Sequence, residues 1–296
     1  MDAVVSTPRS LVPSIVFLRC AVPSQHPSVD LLGDERMGTG VVVGPHRILT
    51  AAFIAVGAER IEAFGVDGQH APVRRLRLDH DTGLALLAMD RMDLPQATLG
   101  TGDEAVPGQP VFVLAAAGEH ERKGATGLIT SVGPFEAYWE YMLDRAILST
   151  VPNPGLAGAP LCDGGGRVLG LVTLGLVSAG RYSAAVPVDL YWRHREELEA
   201  VVPPPPARAW LGILAQTLDG GVVLSGMVPD GPAEEAGLRR GDLVLTVDGQ
   251  EIDSLRQLFL AIQRHNPGEL VGLKVLRESA ILGVDVLAGD RSAFFA

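Results

Sequence analysis

Four consecutive prolines, Pro203–Pro206, cut the chain in two. A proline run offers no N–H to a helix or a sheet ladder, so the segment is a stiff polyproline spacer (linker 203–207). The residues on either side must then bury separate cores, and 296 residues are enough for two. A composition of 47% hydrophobic and 20% charged residues supplies the apolar mass for both.

Before the spacer the pattern is short apolar runs separated by Gly, Pro and Asp. They are Ser14–Cys20, Gly38–Gly44, Arg47–Ala52, Leu84–Met89, Pro110–Ala115, Arg145–Val151, Arg167–Leu174 and Tyr182–Val186. Runs of five to eight residues rich in Val, Leu and Ile predict an antiparallel barrel or sandwich. Val188–Val201 changes to helical spacing, with Leu190, Trp192 and Leu198 among charges, and predicts a helix closing this region.

After the spacer, strands are predicted at Gly221–Met227, Asp242–Val247, Val271–Arg277 and Ile281–Leu287. Pro232–Ala236 with Gly237 behind it has the composition of a short helix. Ser254 followed by Gln257 is a capping box. Leu255, Leu258, Phe259 and Ile262 then line one face of an amphipathic helix. Asp248-Gly249 predicts a hairpin turn. Arg291–Ala296 reads as a frayed tail carrying Phe294 and Phe295.

A net charge of −11 argues against nucleic acid or an anionic membrane as the main partner. No run approaches 18 apolar residues, so membrane insertion is not expected. Near the start, LVPSIVFLRC is broken by Pro13 and ended by Arg19, which does not fit a secretory leader and predicts a cytoplasmic address, or a periplasmic one if a leader has been removed. Cys20 and Cys162 have no metal-ligand neighbours and read as two buried thiols; no cofactor and no metal is expected.

The order of these pieces resembles the HtrA/Deg family, and the resemblance covers roughly residues 12–288. GTGVVVGPHRILTAAFIAV, HDTGLALLAMD, NPGLAGAPLCDGGGRVLGLVT and RYSAAVPVDL are similar to the family's protease segments. WLGI and PDGPAEEAGLRRGDLVLTVDGQEI are similar to its PDZ motifs. The resemblance implies a mainly β chain: a trypsin-like double antiparallel β-barrel over 1–202, then an α+β PDZ domain, a partly open β-barrel, over 208–290. It also implies homotrimers; a mixed oligomer with an active homologue is a separate possibility, in which this chain would be a regulatory subunit.

A trypsin-like protease needs a serine nucleophile, a histidine to take its proton and an aspartate to orient that histidine. The matching positions hold Ala157, Phe53 and Gly83. A methyl, a phenyl and a hydrogen carry none of that chemistry, so the expectation is a pseudoprotease that is not an enzyme. No serine sits in G-x-S-x-G, so the nucleophile is not simply shifted; Cys162 is a possible substitute that would need a positioned base and a lowered pKa, and His46, the histidine nearest in sequence to position 53, lies seven residues before it. The turn itself keeps Gly155, Ala157 and Gly158, small residues that let backbone N–H groups converge as a residual oxyanion turn.

The stronger ligand site is expected in the second domain. PDZ domains add an extended peptide to a sheet edge and hold its carboxylate with backbone N–H groups. The resemblance puts that loop at Trp210, Leu211, Gly212 and Ile213, with Leu258 and Ile262 lining the apolar pocket. The expected partners are protein C-termini or extended peptides, and the expected role is a scaffold or adaptor; the alternatives are a regulatory subunit of an active HtrA-type protease and a serine-type endopeptidase with an unrecognised catalytic arrangement.

Overall fold

The structure is a computed structural model describing residues 9–90, 92–176, 182–203, 205–218 and 221–296. The expected linker position Pro204, and Arg181 at the start of RYSAAVPVDL, lie outside the described residues. The chain forms two compact units, 1–24 with 32–134 and 143–204, and 25–31 with 135–142 and 205–296.

In the first unit, two antiparallel barrels follow one another. The first comprises β1 (Ile15–Ala21), β2 (Glu35–Gly44), β3 (Arg47–Ala51), β4 (Arg60–Phe64), β5 (His70–Asp79) and β6 (Leu84–Met89), closing in the order β1-β2-β3-β6-β5-β4. The second comprises β7 (Pro110–Ala116), β8 (Arg122–Ala137), β9 (Tyr141–Ser149), β10 (Ala159–Asp163), β11 (Val168–Leu176) and β12 (Tyr182–Pro187), closing as β10-β11-β12-β9-β8-β7. Side chains alternate across a strand, so Val16, Leu18 and Cys20 of β1 enter the first core beside Ile48 and Leu87. Val111, Val113, Ile147 and Leu161 fill the second. Each such buried aliphatic side chain contributes about 1.5–3 kcal/mol. Cys20 and Cys162 are free buried thiols, Cys20 in the first barrel's core and Cys162 on strand β10 of the second, as their sequence setting predicted.

The predicted helix over Val188–Val201 is instead two short ones, Asp189–Arg193 and Arg195–Leu198. His194 between them leaves the helical region (φ −102°, ψ 18°), and Trp192 points to solvent while Leu198 is buried.

The second unit is built from β13 (Ala209–Trp210), β14 (Ile213–Leu218), β15 (Gly221–Met227), β16 (Leu243–Val247), β17 (Gln250–Glu251), β18 (Leu270–Arg277), β19 (Ala280–Leu287) and β20 (Gly289–Asp290). β14-β15-β16-β18-β19 form one sheet, with β17 on β16, and β13 pairs with β20. Asp248 and Gly249 both take positive φ, 49° and 80°, which suits the two-residue turn between β16 and β17. The helix Leu255–Ile262 starts at Ser254, whose side chain accepts the Gln257 N–H at 3.3 Å. The expected frayed tail is ordered: Asp290 caps a short helix, Arg291–Phe294, and Phe294 and Phe295 pack on Trp210 at 4.9 and 5.6 Å between ring centroids. Aromatic burial outweighs the tendency of a chain end to fray.

Candidate functional site

In the first unit the positions 53, 83 and 157 are gathered at the seam of the two barrels. Ala52 N–H donates to Gly83 O at 2.8 Å, which places the start of the helix Ala52–Ala55 on the loop before β6. Phe53 and Ala157 pack against the same first-barrel core. The seam is organised by Thr39, fully buried on β2. Its N–H donates to Ala157 O at 2.7 Å, and its hydroxyl donates to Leu156 O at 2.7 Å and accepts from Ala116 N–H at 3.1 Å. Its carbonyl accepts the Thr50 hydroxyl at 2.8 Å. Arg36, also buried, ties down the segment carrying Phe53 by donating to Phe53 O at 2.9 Å and Val56 O at 2.8 Å. Burial lowers the Arg36 pKa. Sequence reasoning passed over both Thr39 and Arg36, whose roles depend on partners far along the chain.

The turn Gly155–Gly158 is shaped by close backbone approach. Gly158 has φ +89°, and a Cβ there would lie 2.1 Å from Thr39 O, so only glycine fits. Two of the N–H groups expected to converge on a substrate oxygen have partners within the chain. Gly155 donates to Asn153 Oδ1 at 3.2 Å, and Gly158 to Val172 O at 2.8 Å. Beside Leu156 opens a cleft of about 570 Å³, lined by Phe17, Arg19, Met37, Glu119, His120 and Glu121 among others. The fallback nucleophile Cys162 is fully buried, and burial together with the Asp163 charge holds its thiol well above the ordinary range. Ser149 is buried too, bonded to Ser183 at 2.8 Å.

In the second unit, Trp210 ends β13, Leu211 and Gly212 form the connecting loop, and Ile213 begins β14, the edge of the sheet. Gly212 has φ +77°, the left-handed region that glycine enters freely. The loop's N–H groups converge on one carboxylate. Leu211 donates to Glu140 Oε1 at 3.1 Å, and Gly212 and Ile213 donate to Glu140 Oε2 at 2.7 and 2.9 Å. Glu140 is buried, which raises its pKa, while Arg291 and the three N–H groups act in the opposite direction. Leu258 and Ile262 are fully buried in the same core as Leu211 and Ile213, and Trp210 is sheathed by Phe294 and Phe295. Nothing in the sequence singled out Glu140, a lone acid in the aromatic stretch Tyr138–Tyr141.

Comparison with known proteins bears on this architecture. Residues 38–171 match the trypsin-like peptidase domain, and residues 209–287 match the PDZ domain. A Halomonas elongata protein named "Probable periplasmic serine endoprotease DegP-like" is 31% identical over 276 residues, covering 86% of this chain and 56% of its own length. The chain belongs to the HtrA/DegP family.

A family member of the same name from Chlamydia pneumoniae is 26% identical over 265 residues, 84% of this chain and 54% of that protein. The chain thus spans just over half the length of the curated relatives it matches. Among solved structures, the HtrA-type protease AlgW with a decapeptide has a TM-score of 0.57 at 23% identity, covering 97% of this chain and 99% of that one. The serine endoprotease from Yersinia pestis has a TM-score of 0.55 at 22% identity, covering 95% and 96%. At such identity the likeness concerns the fold, which is the expected double barrel plus PDZ domain.

Two expectations are corrected by these relatives. The expectation that the chain is not an enzyme is overturned, because the relatives are named serine endoproteases and point to a protease. That expectation rested on three aligned side chains, which bear on one catalytic arrangement only. The cytoplasmic address is overturned because the relatives are named periplasmic. The residues behind it form barrel strand β1, which carries no information about compartment. Among the described residues, no helix is long and apolar enough to cross a membrane.

Proposed function

We propose that this HtrA-type protein recognises C-termini and extended peptides through the groove between β14 and the helix Leu255–Ile262. One observation carries the reading: the N–H groups of Leu211, Gly212 and Ile213 converge within 3.1 Å on a carboxylate. A peptide's terminal carboxylate has the same donor demand, and β14 offers the edge on which its backbone would pair. Leu258 and Ile262 would form the floor of the pocket for an apolar last residue. The test is binding of labelled peptides with free and amidated C-termini. Preference for the free carboxylate, abolished by Gly212→Val, supports the reading; equal binding of both forms refutes it.

Peptide-bond hydrolysis is a second reading, favoured by the relatives' names and by the cleft beside Leu156 with its His120 imidazole. Positions 53, 83 and 157 carry no group that takes up or donates a proton, so the step would draw its nucleophile and base from elsewhere. Casein turnover that His120→Ala abolishes would support this role for the cleft. Turnover unchanged by that substitution would refute it. Homotrimers, as the family resemblance implies, or mixed oligomers with an active homologue are read by light scattering on the same preparations.

A further inference from the structure

The carboxylate in the loop is not a bound ligand but part of this chain. Residues 135–142, the end of β8, the turn at 138–140 and the start of β9, belong to the second unit. Their contacts there follow the pattern of a docked peptide. Glu140 places its carboxylate on the three N–H groups of the loop. Two residues earlier, Tyr138 O accepts the Ala215 N–H of β14 at 2.7 Å, one rung of strand addition. Glu136 pairs with Arg256 on the groove helix at 2.9 Å, and Met142 packs against the core that contains Leu258 and Ile262. The mimicry has a backbone signature. Glu140 has φ +50°, a left-handed conformation unusual for glutamate, and Arg291 clamps its carbonyl with a 2.6 Å hydrogen bond.

We propose that the segment 135–142 is the resident ligand of the groove, with the Glu140 side chain standing in for a peptide's terminal carboxylate, so that an incoming peptide must displace it. The inference rests on the peptide-recognition reading and gives it a regulated form. While the turn is docked, the groove is available only in the fraction of molecules whose turn has swung out. Apparent affinity is reduced by that fraction. Because Glu140 is held by three short N–H bonds, the open fraction is small, and removing its carboxylate raises peptide affinity by about 10-fold or more.

The test uses the full chain, a short fluorescein-labelled peptide ending in a free leucine carboxylate, and the substitutions Glu140→Gln and Glu140→Gly. Glycine removes the carboxylate but relieves the positive φ, which offsets part of the three lost hydrogen bonds, so that variant is expected to fold. Tighter peptide binding by both variants is the expected result. Affinity unchanged in both, with binding still lost in Gly212→Val, overturns the resident-ligand proposal and leaves the groove reading intact. A second measurement covers the case in which no form binds the peptide, which would count against the groove reading. Hydrogen exchange at the Leu211, Gly212 and Ile213 amides should be slow in the parent and at least 10-fold faster in Glu140→Gly. Equal exchange in the two overturns the proposal whatever the peptide does.

Discussion

Replacing Thr39 by valine keeps the shape of a fully buried side chain and deletes its hydroxyl. The hydroxyl serves two backbone groups at the barrel seam, Leu156 O at 2.7 Å and Ala116 N–H at 3.1 Å. Ala116 is fully buried, so its N–H is left without an acceptor at a cost of about 1–3 kcal/mol. Leu156 is only partly buried, and water can reach its carbonyl, which adds about 1 kcal/mol at most. The sum is about 1–4 kcal/mol, or a fall of roughly 2–16 °C in the midpoint of the first unit by scanning calorimetry. Thr39→Ser is the control. It keeps the hydroxyl and loses one buried methyl, about 1 kcal/mol. If Thr39→Val fell within about 0.5 kcal/mol of the parent, or if serine were as damaging as valine, hydrogen bonding through Thr39 would not be what fixes the seam.

Two further outcomes follow from buried titratable groups. Asp242 is fully buried, with Arg277 bonded to both of its oxygens at 2.7 Å and Arg239 N–H at 2.8 Å. Burial pushes its pKa up, but the Arg277 and Arg239 interactions outweigh this and leave it below the ordinary value. A depressed folded pKa gives stability that is present above the unfolded value, about 3.9, and is lost as pH falls through the folded one. The second unit's melting temperature should therefore hold from neutrality to about pH 5 and drop below it; Asp242→Asn, melted across the same range, should show a shallower drop. Cys20 is pushed up to about 12 by burial, opposed by Arg36, and Cys162 is raised as well. Neither thiol should react with a thiol reagent in the native protein, and both should react in denaturant; labelling of Cys162 without unfolding would contradict its burial.

Much of the fold is legible where local chemistry and long-range packing agree. Asp248-Gly249, the Ser254 cap and the apolar face of Leu258 and Ile262 are each specified within a few residues, and each forms as expected. Strand β8 was not foreseen, because RKGATGLITSVGPFEA is polar and glycine-rich and is held by pairing in the barrel instead of by an apolar face. The fused helix over Val188–Val201 was a misreading of the same kind. Apolar spacing runs through His194, whereas the backbone does not. At the candidate sites, the left-handed turn at Gly212 was legible from a motif. Glu140 was not, since its meaning depends on a loop 71 residues away. Phe294 and Phe295 acquire a role only once β20 has paired with β13 beside Trp210.

The placement of the two thiols has a consequence for biogenesis. Cys20 and Cys162 stay unbridged, Cys20 within the first barrel's core and Cys162 buried on strand β10 of the second. An extended chain entering an oxidising compartment would expose both sulfurs at once, and a bond between them would link strands that belong to different barrels. Barrel closure is then a race against oxidation, in which each sulfur becomes unreachable as its strands pair. A delayed chain would be captured as a cross-linked, unfoldable species, which a reductant would return to the productive route.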